Sequence, residues 1–336
     1  MPAPRRPSPL VALLLVGAVG SLPAQAPTVR DTVRLGPVVV TATKTDGAPA
    51  VAATVVLRGA ALRERGIATV GDALREVAGV HLARSGSPGA TTSLFLRGGQ
   101  SNYVKVLVDG VSVNEAGGFV DAANLGTDNV ERIEVVRGPT SVLYGSDAVS
   151  GVVQIFTRRP ASGLHVDAAV RGGATPRKRG RPDDATPADG RSALLDATVE
   201  ASGGTSRLGW SIGAARREHG GLLAFNNAWR HTAASAALVA SPDARTMLRL
   251  STRLTDGRFE YPTDGGGFAV DSNARRDERR VVLGLDAERR LGERVRLRLL
   301  AGTHELHGVS SDQPDSRADT AGFYYRTEND NWRRTL

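Results

Sequence analysis

The chain of 336 residues contains no cysteine. A disulfide framework, a thiolate metal centre and a cysteine nucleophile are therefore excluded, and nothing in its chemistry depends on redox state. No His-Glu-x-x-His pair or clustered ligand set is present, and the six histidines are scattered through the sequence. An enzyme is not expected from such a set. Aromatic residues make up only 4% of the chain. The most prominent apolar run, Leu10 to Leu22, falls short of the roughly 20 residues that a membrane-spanning helix needs. What is present is charge, with a formal net value of +8. Such an excess suits either nucleic acid or the anionic surface of a membrane, and charge alone does not choose between them.

The N-terminus chooses. Arg5 and Arg6 precede the Leu10–Leu22 run, which ends in Pro23-Ala24-Gln25-Ala26. A basic start, a short apolar middle and small residues at the end form a secretory signal peptide, with cleavage expected after Ala26. The exported chain then opens on a polar leader, residues 27–50, that carries a β-branched run, Val38-Val39-Val40-Thr41-Ala42. An extended peptide of this kind suits strand addition to a partner's sheet edge; it equally suits the first strand of the domain that follows.

Residues 51–160 read as an α+β domain. Thr69 is placed as the N-cap of a short helix through Val77, with Gly79 as its stop. Residues 93–98 and 105–108 read as strands, and Asp109-Gly110 before Val111-Ser112-Val113 reads as a hairpin turn favouring positive φ. Residues 130–137 alternate up to Gly138-Pro139, and residues 151–157 read as a closing strand.

Five motifs then occur in order: Phe95-Leu96-Arg97-Gly98, Val108-Asp109-Gly110, Ile133-Glu134-Val135-Val136-Arg137-Gly138-Pro139, Leu143-Tyr144-Gly145-Ser146-Asp147-Ala148 and Gly151-Val152-Val153. Over residues 38 to 160 the sequence resembles the plug domain of TonB-dependent outer-membrane receptors, closest in look to cobalamin and siderophore receptors. The resemblance implies that Val38, Val39, Val40, Thr41 and Ala42 are the TonB box, with Asp31-Thr32-Val33 as an alternative register. It implies that Thr91, Ser93 and Gln100 are apical ligand contacts, although their side chains differ from those of cobalamin transporters. It also implies that Arg97 and Arg137 are buried arginines anchoring the plug to barrel glutamates, since a buried guanidinium needs a partner.

After Pro160 the period changes to two. Leu164, Val166, Ala168 and Val170 alternate with His165, Asp167 and Arg171; Leu248, Leu250, Thr252 and Leu254 alternate with Arg249, Ser251 and Arg253. Residues 195–200, 207–214 and 295–301 repeat the pattern. Tight turns at Gly203-Gly204, Ser241-Pro242-Asp243 and Leu291-Gly292-Glu293 take turns with long polar loops around 172–191, 218–230, 256–279 and 308–321. Apolar-out, polar-in strands with short turns on one side and long loops on the other describe an outer-membrane barrel. The low aromatic content departs from that pattern, because barrels carry aromatic girdles at both interfaces. Plugged transporters close at about 22 strands, whereas residues 161–336 offer seven or eight. The expected fold is thus an α+β plug followed by an antiparallel transmembrane β-barrel of which only the first strands are present.

The implied function is import of a scarce metal chelate, cobalamin or a ferric siderophore, at the outer membrane, driven by the proton gradient through TonB and its inner-membrane complex. The partners expected are TonB, the small chelate, and outer-membrane lipid with lipopolysaccharide. The alternative is a plug-containing receptor for signalling, adhesion or another substrate such as an oligosaccharide; an extra N-terminal signalling domain would mark it, and about a dozen residues separate Ala26 from the box. Pro176 to Pro182 is a basic run read as a solvated loop beside lipopolysaccharide phosphates, and no nucleic-acid partner is expected. Gly265-Gly266-Gly267 lacks the Lys-Ser/Thr of a phosphate loop and reads as a loop tip. No cofactor and no protein-held metal is implied, since iron or cobalt would arrive inside the ligand; Asp183 and Asp184 fit no calcium-loop spacing. Intact-mass measurement of the exported protein is expected to show an N-terminus at Pro27, and retention of residues 1–26 would overturn the signal assignment.

Overall fold

A computed structural model describes residues 53–160, 162–178, 190–263, 268, 270–316 and 324–336. The expected signal segment, the box Val38–Ala42, Asp183 and Asp184, and Gly265–Gly267 lie outside the described residues.

Strands whose faces are both covered need near-continuous apolar and β-branched residues. Residues 151–157 approach that composition and form β7 (Gly151–Thr157), buried throughout, whereas β6 (Val130–Arg137) carries four charged residues, of which Arg132 and Glu134 are buried as an ion pair. With β1 (Ala53–Arg58), β4 (Val104–Val108) and β5 (Val111–Ser112) they make a five-stranded sheet in the order β1-β6-β7-β4-β5. The β4–β7 pair is parallel and the others antiparallel. Alternate residues serve opposite faces. Ile133, Val135 and Val153 pack with Leu62 of α1 (Gly59–Glu64), Leu74 of α2 (Val70–Leu74) and Leu94 of a separate hairpin, β2 (Val80–Arg84) with β3 (Thr92–Leu96). Val136, Val152 and Leu107 pack with Ala148 and with Tyr144 of α3 (Ser141–Tyr144).

Local chemistry sets the boundaries. The Thr69 side chain accepts the Asp72 N–H, capping α2, which ends at Leu74 rather than at the expected Val77, and Gly79 follows at φ 81°. Asp109 and Gly110 take φ 47° and 87°, the doubly positive pair expected of this two-residue hairpin.

The remaining strands form one antiparallel sheet of eight, each paired only with its sequence neighbours. They are β8 (Gly163–Pro176), β9 (Arg191–Gly204), β10 (Leu208–His219), β11 (Trp229–Asp243), β12 (Thr246–Glu260), β13 (Arg275–Leu291), β14 (Val295–Asp312) and β15 (Tyr325–Thr335). The sheet does not close on itself: β8 and β15 are its two edges. On β12 the expected alternation holds, with Leu248, Leu250 and Leu254 exposed and Arg249 and Arg253 buried against the α+β domain. Short connections, 205–207, 244–245 and 292–294, alternate with long ones, 177–190, 220–228, 261–274 and 313–324. The long connections are shorter than the sequence suggests, because the ladders run on beyond the apolar band; Gly172 to Pro176, for example, pair with Arg191 to Leu195. Each added cross-strand pair satisfies backbone groups that a loop would leave to water.

Gly209-Trp210-Ser211-Ile212-Gly213 has the Gly-x-Ser-x-Gly spacing of a nucleophile elbow but lies within β10, where Ser211 is buried and its hydroxyl donates to the Arg158 carbonyl at 3.0 Å. A nucleophile elbow needs a strand-to-helix turn, and this one has none. No helix among the described residues is long and apolar enough to cross a membrane, which leaves crossing by strands open.

Close approach of the two parts depends on glycine where Val111 meets the sheet. A Cβ on Gly302 would stand 2.3 Å from Val111 Cγ2 and 2.6 Å from the Leu283 carbonyl. Gly302→Val is expected to cost about 1–3 kcal/mol through overpacking, read as a lower urea midpoint. Gly173→Ala, with nothing within 4 Å, is the matched control and should be near neutral.

Candidate functional site

The segment Asp121 to Asn129 has no regular structure yet is buried throughout. A buried irregular backbone must find partners for its polar groups. Asp121 Oδ1 accepts the N–H groups of Thr92 and Ala123, the Leu125 carbonyl accepts the Val70 N–H, and Thr127 binds Ala68 and Ile67 through its N–H and hydroxyl. Gly126 is needed here, since a Cβ would lie 2.2 Å from Asp128 Oδ1.

Against this segment stand the inward side chains of the large sheet. The period of two places Arg249, Arg253 and Gly257 on one face of β12, spaced by about 13 Å per four residues. Arg249 reaches Asp109 at 3.0 Å, and Asp109 also accepts the Thr157 N–H and hydroxyl. Arg253 reaches Asp128 at 2.7 Å, and Arg217 of β10 meets the same carboxylate at 3.1 Å. Arg276 of β13 pairs with Asp121. Trp229 Nε1 donates to Asn124 Oδ1 at 3.2 Å, and His231 Nε2 stands 3.1 Å from the Asn124 carbonyl.

Asp128 is the centre of this set, its side chain fully buried. Burial alone would raise its carboxyl pKa; Arg253 and Arg217, with His231 nearby, outweigh it and hold the group at about 2. A second contact has the opposite polarity. Glu200 of β9 is 2% exposed and takes Arg158 at 2.9 Å and Arg63 at 3.6 Å, as well as the Asn129 N–H. A third joins Lys105, Asp147 and Arg333 of β15, at 2.9 and 2.8 Å.

The residues singled out from sequence fall in different places. Thr91 is half-buried at the long-loop end of β3, where its hydroxyl accepts from Arg276 at 2.7 Å. Ser93 lies on β3 opposite Ala83. Gln100 is exposed beyond the other end of β3, so the structure does not bring it to Thr91 and Ser93. The expected burial of Arg97 and Arg137 is not found. Arg97 is exposed at φ 49°, and Arg137, only partly covered, donates to the Ala78 carbonyl at 2.7 Å. Both flank Gly79. Arg63 and Arg158 take the glutamate, and the aspartates of the α+β domain supply the larger part of the interface. Strand parity was the signal for Arg217, Arg249 and Arg253; nothing local marks Asp128 as their partner.

The TonB-dependent receptor plug domain family matches residues 46–152. Residues 46–152 are a TonB-dependent receptor plug. A curated relative, the vitamin B12 transporter BtuB of Vibrio vulnificus (strain CMCP6), is 37% identical over 145 residues, covering 43% of this chain and 23% of the relative. Among solved structures, the ferric citrate transporter FecA superposes with a TM-score of 0.67 at 18% identity, over 84% of this chain and 43% of that one. The siderophore receptor PirA of Acinetobacter baumannii gives 0.62 at 17%, with the same coverages. At these identities the superpositions speak for the fold, a plug set in part of a barrel. The chain spans about a quarter of the curated relative's length and about two fifths of the solved receptors.

Removing the Asp128 carboxylate would leave two buried guanidiniums without their counter-ion. Asp128→Ala is expected to cost about 3–5 kcal/mol, seen as a lower urea midpoint and faster proteolysis of the plug, whereas exposed Arg97→Gln should stay within about 0.5 kcal/mol. The folded pKa of Asp128 is depressed from 3.8 to about 2. Its contribution is therefore complete above about pH 4 and lost as pH falls from there through 2. Titrating the wild type against Asp128→Asn should show that difference vanish across this window.

Proposed function

We propose that the protein is a TonB-dependent outer-membrane transporter that imports a scarce metal chelate, cobalamin or a ferric siderophore. The observation that carries this reading is the make-up of the plug–barrel contact. Where a permanent domain junction would be welded by apolar side chains, Asp109, Asp121, Asp128 and Glu200 meet arginines across it. Water can replace charge and hydrogen-bond contacts as they part, so a pull on the plug meets less resistance than an apolar weld would give. The outward apolar and inward polar faces of the sheet support a place in the outer membrane. Of the two cargoes, the sequence relative named as a vitamin B12 transporter favours cobalamin.

In this mechanism ligand binds at the long-loop end, against Thr91 and Ser93. TonB pairs with Val38–Ala42 by strand addition and uses the proton gradient to draw the plug aside. The β-branched run suits strand addition because its backbone supplies the hydrogen bonds. Proline within it removes one N–H and fixes φ.

Calorimetry of the receptor in detergent, with cyanocobalamin and a panel of ferric siderophores, should show saturable binding of one ligand. Val39→Pro should keep that binding and lower uptake at least about tenfold, since a broken strand contact abolishes the pull. No binding across the panel would sink the cargo, and undiminished uptake would sink the box.

A further inference from the structure

The outer face of the large sheet carries two features that import does not use. The first is a groove of about 730 Å³ on the side away from the plug. Its floor is one cross-strand row, Trp210, Leu238, Leu250, Leu285 and Ala301. The small side chains of Ala236, Thr252 and Thr303 in the next row leave the depression, which the exposed Arg334 of β15 borders beside Thr303. Toward the short turns the apolar surface continues through Leu248, Ala287 and Leu299.

The second feature lies where that surface ends. Arg289 faces outward four residues beyond Leu285, about 13 Å along the strand. Arg207, Arg245 and Arg294 sit on the three neighbouring short turns, which are tied together by Ser241 N–H to the Arg207 carbonyl at 2.7 Å and Arg290 N–H to the Arg245 carbonyl at 2.8 Å. All four arginines are exposed, and no carboxylate stands within ion-pairing distance of their side chains among the described residues. The acids nearby are Glu293, Glu288 and Asp243; the Asp243 carboxylate accepts the Arg245 N–H and the Thr246 hydroxyl and feels the charge of Arg289, which stands outside ion-pairing distance. Arg290 and Arg296 share Glu288. At the long-loop end Arg216, Arg258 and Arg326 are each ion-paired, while exposed Arg191 and Arg279 form no ion pair among the described residues.

An exposed apolar groove that runs into unpaired guanidiniums matches a molecule with a hydrocarbon chain and a phosphate about one short strand apart. We propose that the outer face of β10–β14 is a binding site for an anionic glycerophospholipid of the leaflet at the short-turn side, its acyl chain in the groove and its phosphate among Arg245, Arg289 and Arg294. The proposal rests on the reading of this face as lipid-facing, and goes beyond it in assigning a head-group class and a place. Apolar burial would bind any phospholipid. The arginines add a preference for net negative charge that salt weakens.

The test uses the receptor in nanodiscs and mixed micelles of phosphatidylglycerol or phosphatidylcholine, with lipid retention read by native mass spectrometry and stability by thermal unfolding. Wild type should retain phosphatidylglycerol preferentially and melt higher in it. The triple variant Arg245→Gln, Arg289→Gln, Arg294→Gln should lose about fivefold in apparent affinity per arginine at low salt, with phosphatidylcholine unchanged and the ligand affinity of the receptor intact. Ala236→Phe, which fills the groove, should lower retention of both lipids. Equal retention of the two lipids by wild type, an undiminished preference in the triple variant, or the same stabilisation from inorganic phosphate alone would overturn the site while leaving the transporter reading in place. Failure of the wild type to enter either bilayer would overturn the lipid-facing reading and the site with it.

Discussion

A single carboxylate, Asp128, held between Arg217 and Arg253, is the constraint on which the arrangement of plug and barrel depends. Two guanidiniums buried on the inner wall of the sheet would be untenable without it, and the carboxylate would be untenable without them. The segment that carries Asp128 has no helix or strand to hold it. Its place is fixed by side-chain-to-backbone bonds from Asp121 and Thr127, and by the absence of a side chain at Gly126. The plug is therefore positioned by a buried loop rather than by its sheet.

From that point the contact spreads in two directions along the strands. Arg249 and Asp109 carry it toward the short turns, and Arg276 with Asp121, Thr91 and the Trp229–Asn124 bond carry it toward the long loops. The spacing is that of a strand, so one period of two decides both which arginines face the plug and which leucines face away. The same parity that builds the polar interface builds the apolar groove on the opposite face. A one-residue slip of β12 would bury the leucines against aspartates and expose the arginines, and for that reason the register is strongly specified.

The energetic character follows. Apolar packing holds the plug together internally, with Ile133, Val135 and Val153 fully buried. Between plug and barrel, charge and hydrogen bonds prevail, with Val111 against Val282, Gly284 and Gly302 as an apolar contact. The plug thus has a firm apolar interior and a boundary held chiefly by charge and hydrogen bonds.

The sequence by itself determined many of the elements and their faces, though not β1, α1, β2 or α3. The capped helix at Thr69, the Asp109-Gly110 turn, the strands at 130–137 and 151–157 and the apolar-out parity of the barrel strands were all legible, because each rests on neighbours within a few residues or on a period of two. It did not determine who meets whom across the interface. Arg97 and Arg137 belong to the motifs that carry the family resemblance, and that resemblance made them candidates for burial, yet they lie near solvent. Arg63, Arg158 and Asp128, which no local pattern distinguishes, hold the ion pairs. Gln100 is close to Thr91 in sequence, and β3 carries it to the other end. Hydrogen-bond and ion-pair partners 71 to 155 residues apart, such as the Asn129 N–H with Glu200 or Arg276 with Asp121, are chosen by how the plug's loop docks on the sheet. Only the tertiary structure decided that, because the cost of burying a charge depends on what surrounds it and not on where it stands in the chain.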